Sequence, residues 1–461
     1  MSSAVDGLGA PVRRAGAKGI WGWMLFDWAQ QPFHTLIITF AFAPYFASAV
    51  APDPVSGQAW WGWAMGAGGF IIAILSPVFG ALADVTGPRK PWIFGFTVLG
   101  CAGCWALWYA TPGMPNALPI MIAVAVALIG VEFAAVFNNA MMPTLVPRSE
   151  LGKLSGSAWG LGYLGGLVAL IIVLGFLAAQ PSSGKTLIGI DPLFGFTASG
   201  REGDRASGPL TAIWMAVFLI PMFLFTPDMP SIARKAGAVR KSLVELVGTL
   251  KALPKQTSFF SFLMSSMIYR DSLNALYAFG GIYAAGVLKW TLIDIGIFGL
   301  IGNLAGAGGA WVGGRMDQRF GPKPVIVICI IALSLACLAI ISTAPNEAFF
   351  LAVGTPEAPS SLPTIVFYVC GAVIGAAGGS LQAASRTLLV DQVPPQDVGK
   401  AFGLYALSGR ATAFIGPIAI GWMTVVSQSQ RLGVTPIIAL FVIAALLLPL
   451  VRSASAHARQ S

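Results

Sequence analysis

The sequence predicts an all-α integral membrane protein of twelve transmembrane helices in two six-helix halves. Three observations carry this. Hydrophobic residues make up 56% of the 461 positions and charged residues only 10%, too few to cover a water-facing surface. Charge and Pro- or Gly-rich punctuation recurs after apolar runs of roughly 20 residues, the length that crosses hydrocarbon as a helix. The two halves of the chain also carry matching segments.

The expected spans are 21–49, 59–82, 91–111, 117–142, 154–179 and 207–226, then 258–286, 291–314, 322–344, 360–391, 399–427 and 434–451. Runs this long must be helical, because lipid offers no partner to an unpaired amide and barrel strands would alternate and be about half as long. The basic N-terminal stretch lacks a small-residue cleavage site, so span 1 is read as retained. In the linker, Leu243, Leu246, Val247, Leu250 and Leu253 share one face beside Lys241, Glu245 and Lys251, which predicts an interfacial amphipathic helix.

Nineteen Lys and Arg fall on the side of the termini, five on the opposite side and three within spans. This asymmetry predicts cytoplasmic termini in a multi-pass cell-membrane protein, and no loop is large enough for a basic nucleic-acid-binding domain. All five cysteines lie in spans, and Cys101-x-x-Cys104 lacks a second pair, so helix packing is expected of them rather than metal binding. Neither cofactor nor metal is expected. No His-Glu-x-x-His, Gly-x-Ser-x-Gly or Walker motif occurs, which argues against an enzyme or an ATP-driven pump.

The repeat sets the domains. "VPRSELGKLSG" at 146–156 aligns with "VPPQDVGKAFG" at 393–403, an offset of 247, and "GALADVTGPRKP" at 80–91 with "GGRMDQRFGPKP" at 313–324. The expected division is 1–226, a cytoplasmic linker 227–257, and 258–461, with parallel halves.

"GALADVTGPRK" resembles the loop signature between spans 2 and 3 of the major facilitator superfamily, and the resemblance covers nearly the whole chain. "FDWAQQPFHT" (26–35) and "YRDSLNALYAFGGIYA" (269–284) resemble paired signatures of the vacuole-effluxer-like, or unknown major facilitator, family. Gln30 and Gln31 stand where that pattern has Asn-Ser, Ser272 where it has glycine, and Asn274 where it has threonine. The resemblance implies secondary transport. Eukaryotic members are implicated in releasing amino acids from the vacuole, whereas most bacterial members have no assigned substrate.

Without the family, the loop still has a physical reading. Gly87-Pro88 turns the chain at the cytoplasmic end of span 2 and sets Arg89 and Lys90 at headgroup level. Asp84 can pair with cations or cap a neighbouring helix, so Gly80, Asp84, Gly87, Arg89 and Lys90, with Asp317, Gly321 and Lys323 of the second copy, are expected to form a conformational latch. The plainer alternative is a topology-setting basic loop.

Within span 1, Trp23, Asp27, Gln30, Gln31 and His34 share a helical face that must avoid lipid, and Pro32 frees the carbonyl of Trp28 for an outside donor. Span 7 offers Arg270, Asp271, Asn274 and Tyr277; the first two point about 100° apart and each needs its own partner. Glu132 in span 4, Arg386 in span 10 and Arg410 in span 11 complete the intramembrane charges, and the repeat sets Asn139 opposite Arg386. These twelve residues, Trp23 aside, are the substrate-binding or proton-coupling candidates. Some charges are expected to be structural ion pairs, Glu132 first.

Carboxylates and guanidiniums together suit a zwitterion, whose ends they match. The expected function is therefore a monomeric secondary transporter of a small polar solute such as an amino acid, with proton coupling as the default and a uniporter left open. The alternatives are efflux of drugs or other organic solutes, and a non-transporting receptor on the same scaffold.

Overall fold

The computed structural model describes residues 14–453 apart from 147–150, 181–182, 229–243, 245–246, 249–250, 356 and 394–397; the expected linker helix lies largely outside the described residues, as do some side chains within helices, those of Asp84 and Arg410 among them. Ten described segments are long and apolar enough to cross a membrane. The first half supplies α1 (Ala17–Val50), α2 (Pro54–Thr86), α3 (Lys90–Tyr109), α4 (Leu118–Leu145), α5 (Leu151–Ile172) and α6 (Glu202–Phe225). The second supplies α7 (Thr257–Gly286), α8 (Leu292–Phe320), α9 (Pro322–Ile341) and α10 (Leu362–Asp391), then α11 (Val398–Ala411), α12 (Ile415–Ser427) and α13 (Gln430–Leu450).

Ten is fewer than the twelve expected for two physical reasons. The 30-residue α7 is long enough but polar, carrying Arg270 and Asp271 among its serines. The eleventh span is broken at Thr412–Phe414 into α11 and α12, a correction to the single run 399–427. Pro417 explains the break: it offers no N–H to the carbonyl of Ala413 and its ring would press on that carbonyl, yet it is tolerated in the first turn of α12.

α1 is irregular too. Regular α-helix runs to Pro32, and π-type turns follow over Phe33–Phe40 and Phe46–Val50. The single described hairpin pairs β1 (Glu347–Ala348) with β2 (Leu351–Ala352) between α9 and α10. Arg431, at the start of α13, holds that hairpin through a 2.9 Å ion pair with Glu347.

The chain forms two compact units, one of Met1–Phe42 with Ala67–Leu246 and the other of Ala43–Gly66 with Val247–Ser461. In the first, aromatic side chains from α2, α3 and α4 interlock: Phe79 lies 4.6 Å from Phe133, and Trp92 stacks on Phe137 at 5.4 Å.

In the second, glycines bring α8 and α10 to backbone contact. A Cβ on Gly306 would stand 3.3 Å from the Gly375 carbonyl, and one on Gly375 would collide with the Gly302 carbonyl. The residues joining α1 to α2 belong to this unit because Gln58 Nε2 donates to Thr424 Oγ1 at 2.8 Å and Gln430 Nε2 donates to the Pro54 carbonyl at 2.8 Å.

Candidate functional site

In the first unit, the polar face of α1 divides between two neighbours. Towards α4, Trp23 Nε1 donates to the Asn138 carbonyl at 2.9 Å and Gln30 Nε2 to the Val131 carbonyl at 2.7 Å. Gln30 is thereby committed to holding α1 on α4. Towards α5, three glycines admit the backbone: a Cβ on Gly162 would stand 3.3 Å from Asp27 Cβ, one on Gly165 2.7 Å from the Trp28 carbonyl, and one on Gly166 2.8 Å from Gln31 Cγ. Asp27 and Gln31 are half-buried beside this glycine run. The carbonyl of Trp28 accepts a 3.0 Å hydrogen bond from Trp214 Nε1 of α6.

Further along, His34 packs edge-on against Phe33 at 5.4 Å. Asn139 is exposed, whereas its neighbour Asn138 is fully buried and both amide atoms of its side chain lack a hydrogen bond. The repeat alignment singled out Asn139; nothing in the sequence separates it from Asn138, and only helical phase does so.

In the second unit, α7 is the organising helix. Arg270 is engaged by α11: its Nη2 donates to the Tyr405 carbonyl at 2.8 Å and to Ser408 Oγ at 3.0 Å, and its guanidinium lies 3.7 Å from the centre of the Tyr405 ring. A Cβ on Gly409 would come within 2.8 Å of Nη1, so glycine there lets the guanidinium lie close against α11.

Asp271, one position on, faces another way and is only 4% exposed. Its Oδ2 accepts a long 3.4 Å hydrogen bond from the Gly416 amide, in the first turn of α12, while Oδ1 has no partner. The break in the eleventh span thus brings a helix N-terminus, with its partial positive charge, to a buried carboxylate. Sequence reasoning missed Gly416, although Gly416-Pro417 signals the break.

Asn274, one turn from Arg270 on α7, is exposed, and the Tyr277 hydroxyl sits where a Cβ on Gly378 of α10 would be. Arg386 of α10 is exposed. The side chain of Arg410 lies outside the described residues.

The expected latch falls partly outside the described residues. Gly80 and Asp84 lie where side chains are outside the described residues, although the backbone there is helical. The carboxylate that caps α3 is Asp228, which accepts from the Arg89 amide at 2.9 Å and the Lys90 amide at 3.1 Å. An acid just past the end of α6 was the signal for it. Gly87 turns at φ 76° and Arg89 is buried, with Nη1 donating to the Gly87 carbonyl at 3.2 Å.

The two halves repeat one contact. Lys90 Nζ donates to the Phe223 carbonyl at 2.8 Å, at the end of α6, and Lys323 Nζ donates to the Val451 carbonyl at 2.7 Å, at the end of α13. Asp317 is buried, and its backbone carbonyl accepts from the Gly321 amide at 2.8 Å.

A family model described as vacuole effluxer Atg22 like matches residues 65–461. The chain is 25% identical over 435 residues to the uncharacterized MFS-type transporter YxiO of Bacillus subtilis, a match covering 93% of this chain and 94% of that one. It is 23% identical over 291 residues to autophagy-related protein 22 of Cryptococcus neoformans, covering 61% of this chain and 49% of the fungal protein, so it spans about half that relative's length.

Solved structures share the architecture. A mutant of the nucleoside transporter NupG superposes with a TM-score of 0.66 at 14% identity, covering 94% of this chain and 100% of that one. A D-xylose-proton symporter superposes with a TM-score of 0.63 at 15% identity, covering 95% and 97%. The fold is thus that of the major facilitator superfamily, and the protein is a multi-pass membrane transporter of that type for a small molecule. The chain belongs to the vacuole-effluxer Atg22-like family.

Proposed function

We propose that the transported solute is an amino acid or a similar zwitterion, moved by alternating access, and that Asp271 receives its ammonium group. The observation that carries this reading is the state of that carboxylate: 4% exposed, one oxygen on a single long hydrogen bond and the other on none. A buried carboxylate so poorly satisfied is costly, and a cationic group or a proton offsets the cost. Arg270, seated on α11 by its bonds to the Tyr405 carbonyl and Ser408, is withdrawn from the solute. His34 and Glu132 are the candidates for proton coupling, histidine being the side chain whose ordinary titration lies closest to neutral pH. The resemblance to a family whose eukaryotic members are implicated in releasing amino acids from the vacuole supports an amino-acid class of solute.

We place both termini on the cytoplasmic side of the cell membrane, on the asymmetry of the basic loops. The test is a thermal-shift screen of purified protein against amino acids, dipeptides, sugars and cationic drugs at several pH values, followed by proteoliposome uptake of whatever stabilises it. A ligand that binds the folded state raises Tm by mass action. Stabilisation by amino acids alone supports the proposal; stabilisation by sugars or drugs alone contradicts it.

A further inference from the structure

A groove of about 540 Å³ runs along the membrane-facing side of the first unit between α3 and α6, lined by Phe94, Thr97 and Val98 from one helix and Ala216, Ile220 and Phe223 from the other. Its walls continue the lipid-facing surface of these helices, with Phe94 60% and Leu224 68% exposed. Two features separate it from ordinary lipid-facing surface.

Thr97, although 9% exposed and on the groove wall, has a hydroxyl with no hydrogen-bond partner, where a helical threonine ordinarily bonds the carbonyl a turn back. The mouth is also cationic. At the Phe223–Phe225 end, Lys90 Nζ lies 2.8 Å from the Phe223 carbonyl and Lys18 Nζ lies 5.9 Å from the centre of the Phe225 ring. Lys18 is exposed, and an ammonium forming one hydrogen bond keeps two further donors.

We infer that this groove is a binding site for one anionic membrane phospholipid, taken from the leaflet on the side of the chain's N-terminus. The acyl chain lies between Val98 and Ile220. The ester region meets the Thr97 hydroxyl, about 10 Å along α3 from Lys90 at 1.5 Å per residue. The phosphate sits between the Lys18 and Lys90 ammonium groups. Charge complementarity selects the lipid class: basic residues at helix ends are each worth about 1 kcal/mol towards anionic headgroups, about fivefold in affinity.

The experiment is native mass spectrometry of the full chain after exchange into mixed micelles of phosphatidylglycerol and phosphatidylcholine in equal amounts. Wild type should retain one phosphatidylglycerol in preference to phosphatidylcholine. Lys18→Gln should reduce that preference by about fivefold. Thr97→Val should weaken retention of both lipids at unchanged Tm.

Ala216→Trp fills the groove and should abolish retention; Val98→Trp, at a side chain already 52% exposed, makes the same test with little risk to folding. Equal retention of the two lipids, retention unaffected by both tryptophan variants, or a lipid-free dimer that either tryptophan variant dissociates would each overturn the inference.

Discussion

The indole nitrogen of Trp214 donates a 3.0 Å hydrogen bond to the carbonyl of Trp28, the carbonyl that Pro32 leaves without a helical donor, and the two indoles stack at 5.6 Å. A proline four residues on removes the i to i−4 bond, and inside a bilayer the orphaned oxygen must find another donor. Trp214 supplies it from α6, so one proline is matched by one tryptophan 182 positions away (214 − 32).

A double-mutant cycle measures that match. Trp214→Phe keeps an aromatic ring but loses the donor, and should lower stability by about 1 kcal/mol in detergent-solubilised protein. In a Pro32→Ala background the helix satisfies Trp28 itself, and the same substitution should cost clearly less. Equal cost in both backgrounds would show that the hydrogen bond contributes nothing.

Arg270 is predicted to stabilise rather than to bind solute. Arg270→Gln removes the stack on Tyr405 and three charged hydrogen bonds, one of them within α7 to the Ser266 carbonyl, for an expected loss of about 3 kcal/mol. Thermal unfolding should show the loss, while the folded fraction keeps its ligand affinity. Unchanged Tm with lost binding would return Arg270 to the solute site.

The α8–α10 seam gives a prediction with an internal control. Gly375→Ala drives a methyl into the Gly302 carbonyl and should destabilise by about 2 kcal/mol. Gly308→Ala and Gly314→Ala, where a Cβ meets nothing within 4 Å, should be neutral or stabilising. Similar effects at all three positions would reject close packing as the reason for the glycines.

At the start of α2, Ser56 donates to Asp53 from its hydroxyl at 2.6 Å and from its amide at 2.9 Å, which holds the Asp53 carboxyl below the usual carboxylate range. A lowered folded-state value means that the cap stabilises above the unfolded carboxylate pKa of about 4 and that this contribution is lost as pH falls through the lowered value. Asp53→Asn should therefore lower Tm slightly at neutral pH and not in strong acid. A difference that persists unchanged into acid would exclude the charge as its source.

Much of this structure was legible in the sequence because the bilayer permits so little. Apolar runs bounded by charge located ten crossings, and the gapless repeat aligned Lys90 with Lys323, the two residues that make the duplicated contact. Pro32 pointed to an outside donor for Trp28, although not to Trp214, because partners distant in sequence leave no local pattern.

Helical phase and partner choice were illegible for the same reason. Asn138 and Asn139 differ only in which way each points, and Arg270 and Asp271 are both charges on a polar helix until α11 and α12 claim one each. The break at Thr412–Phe414 was readable from Gly416-Pro417, but a proline early in a long apolar run also occurs in unbroken membrane helices.

The central claim is that the buried carboxylate of Asp271 meets the cationic end of the solute. Counterflow of a labelled amino acid into proteoliposomes tests it most directly, comparing wild type with Asp271→Asn, which keeps the shape and removes the charge. The expected result is counterflow by wild type and a loss of at least about tenfold in the variant at equal folded yield, one missing charged interaction being worth more than about 1.4 kcal/mol. Equal counterflow by both proteins would contradict the claim.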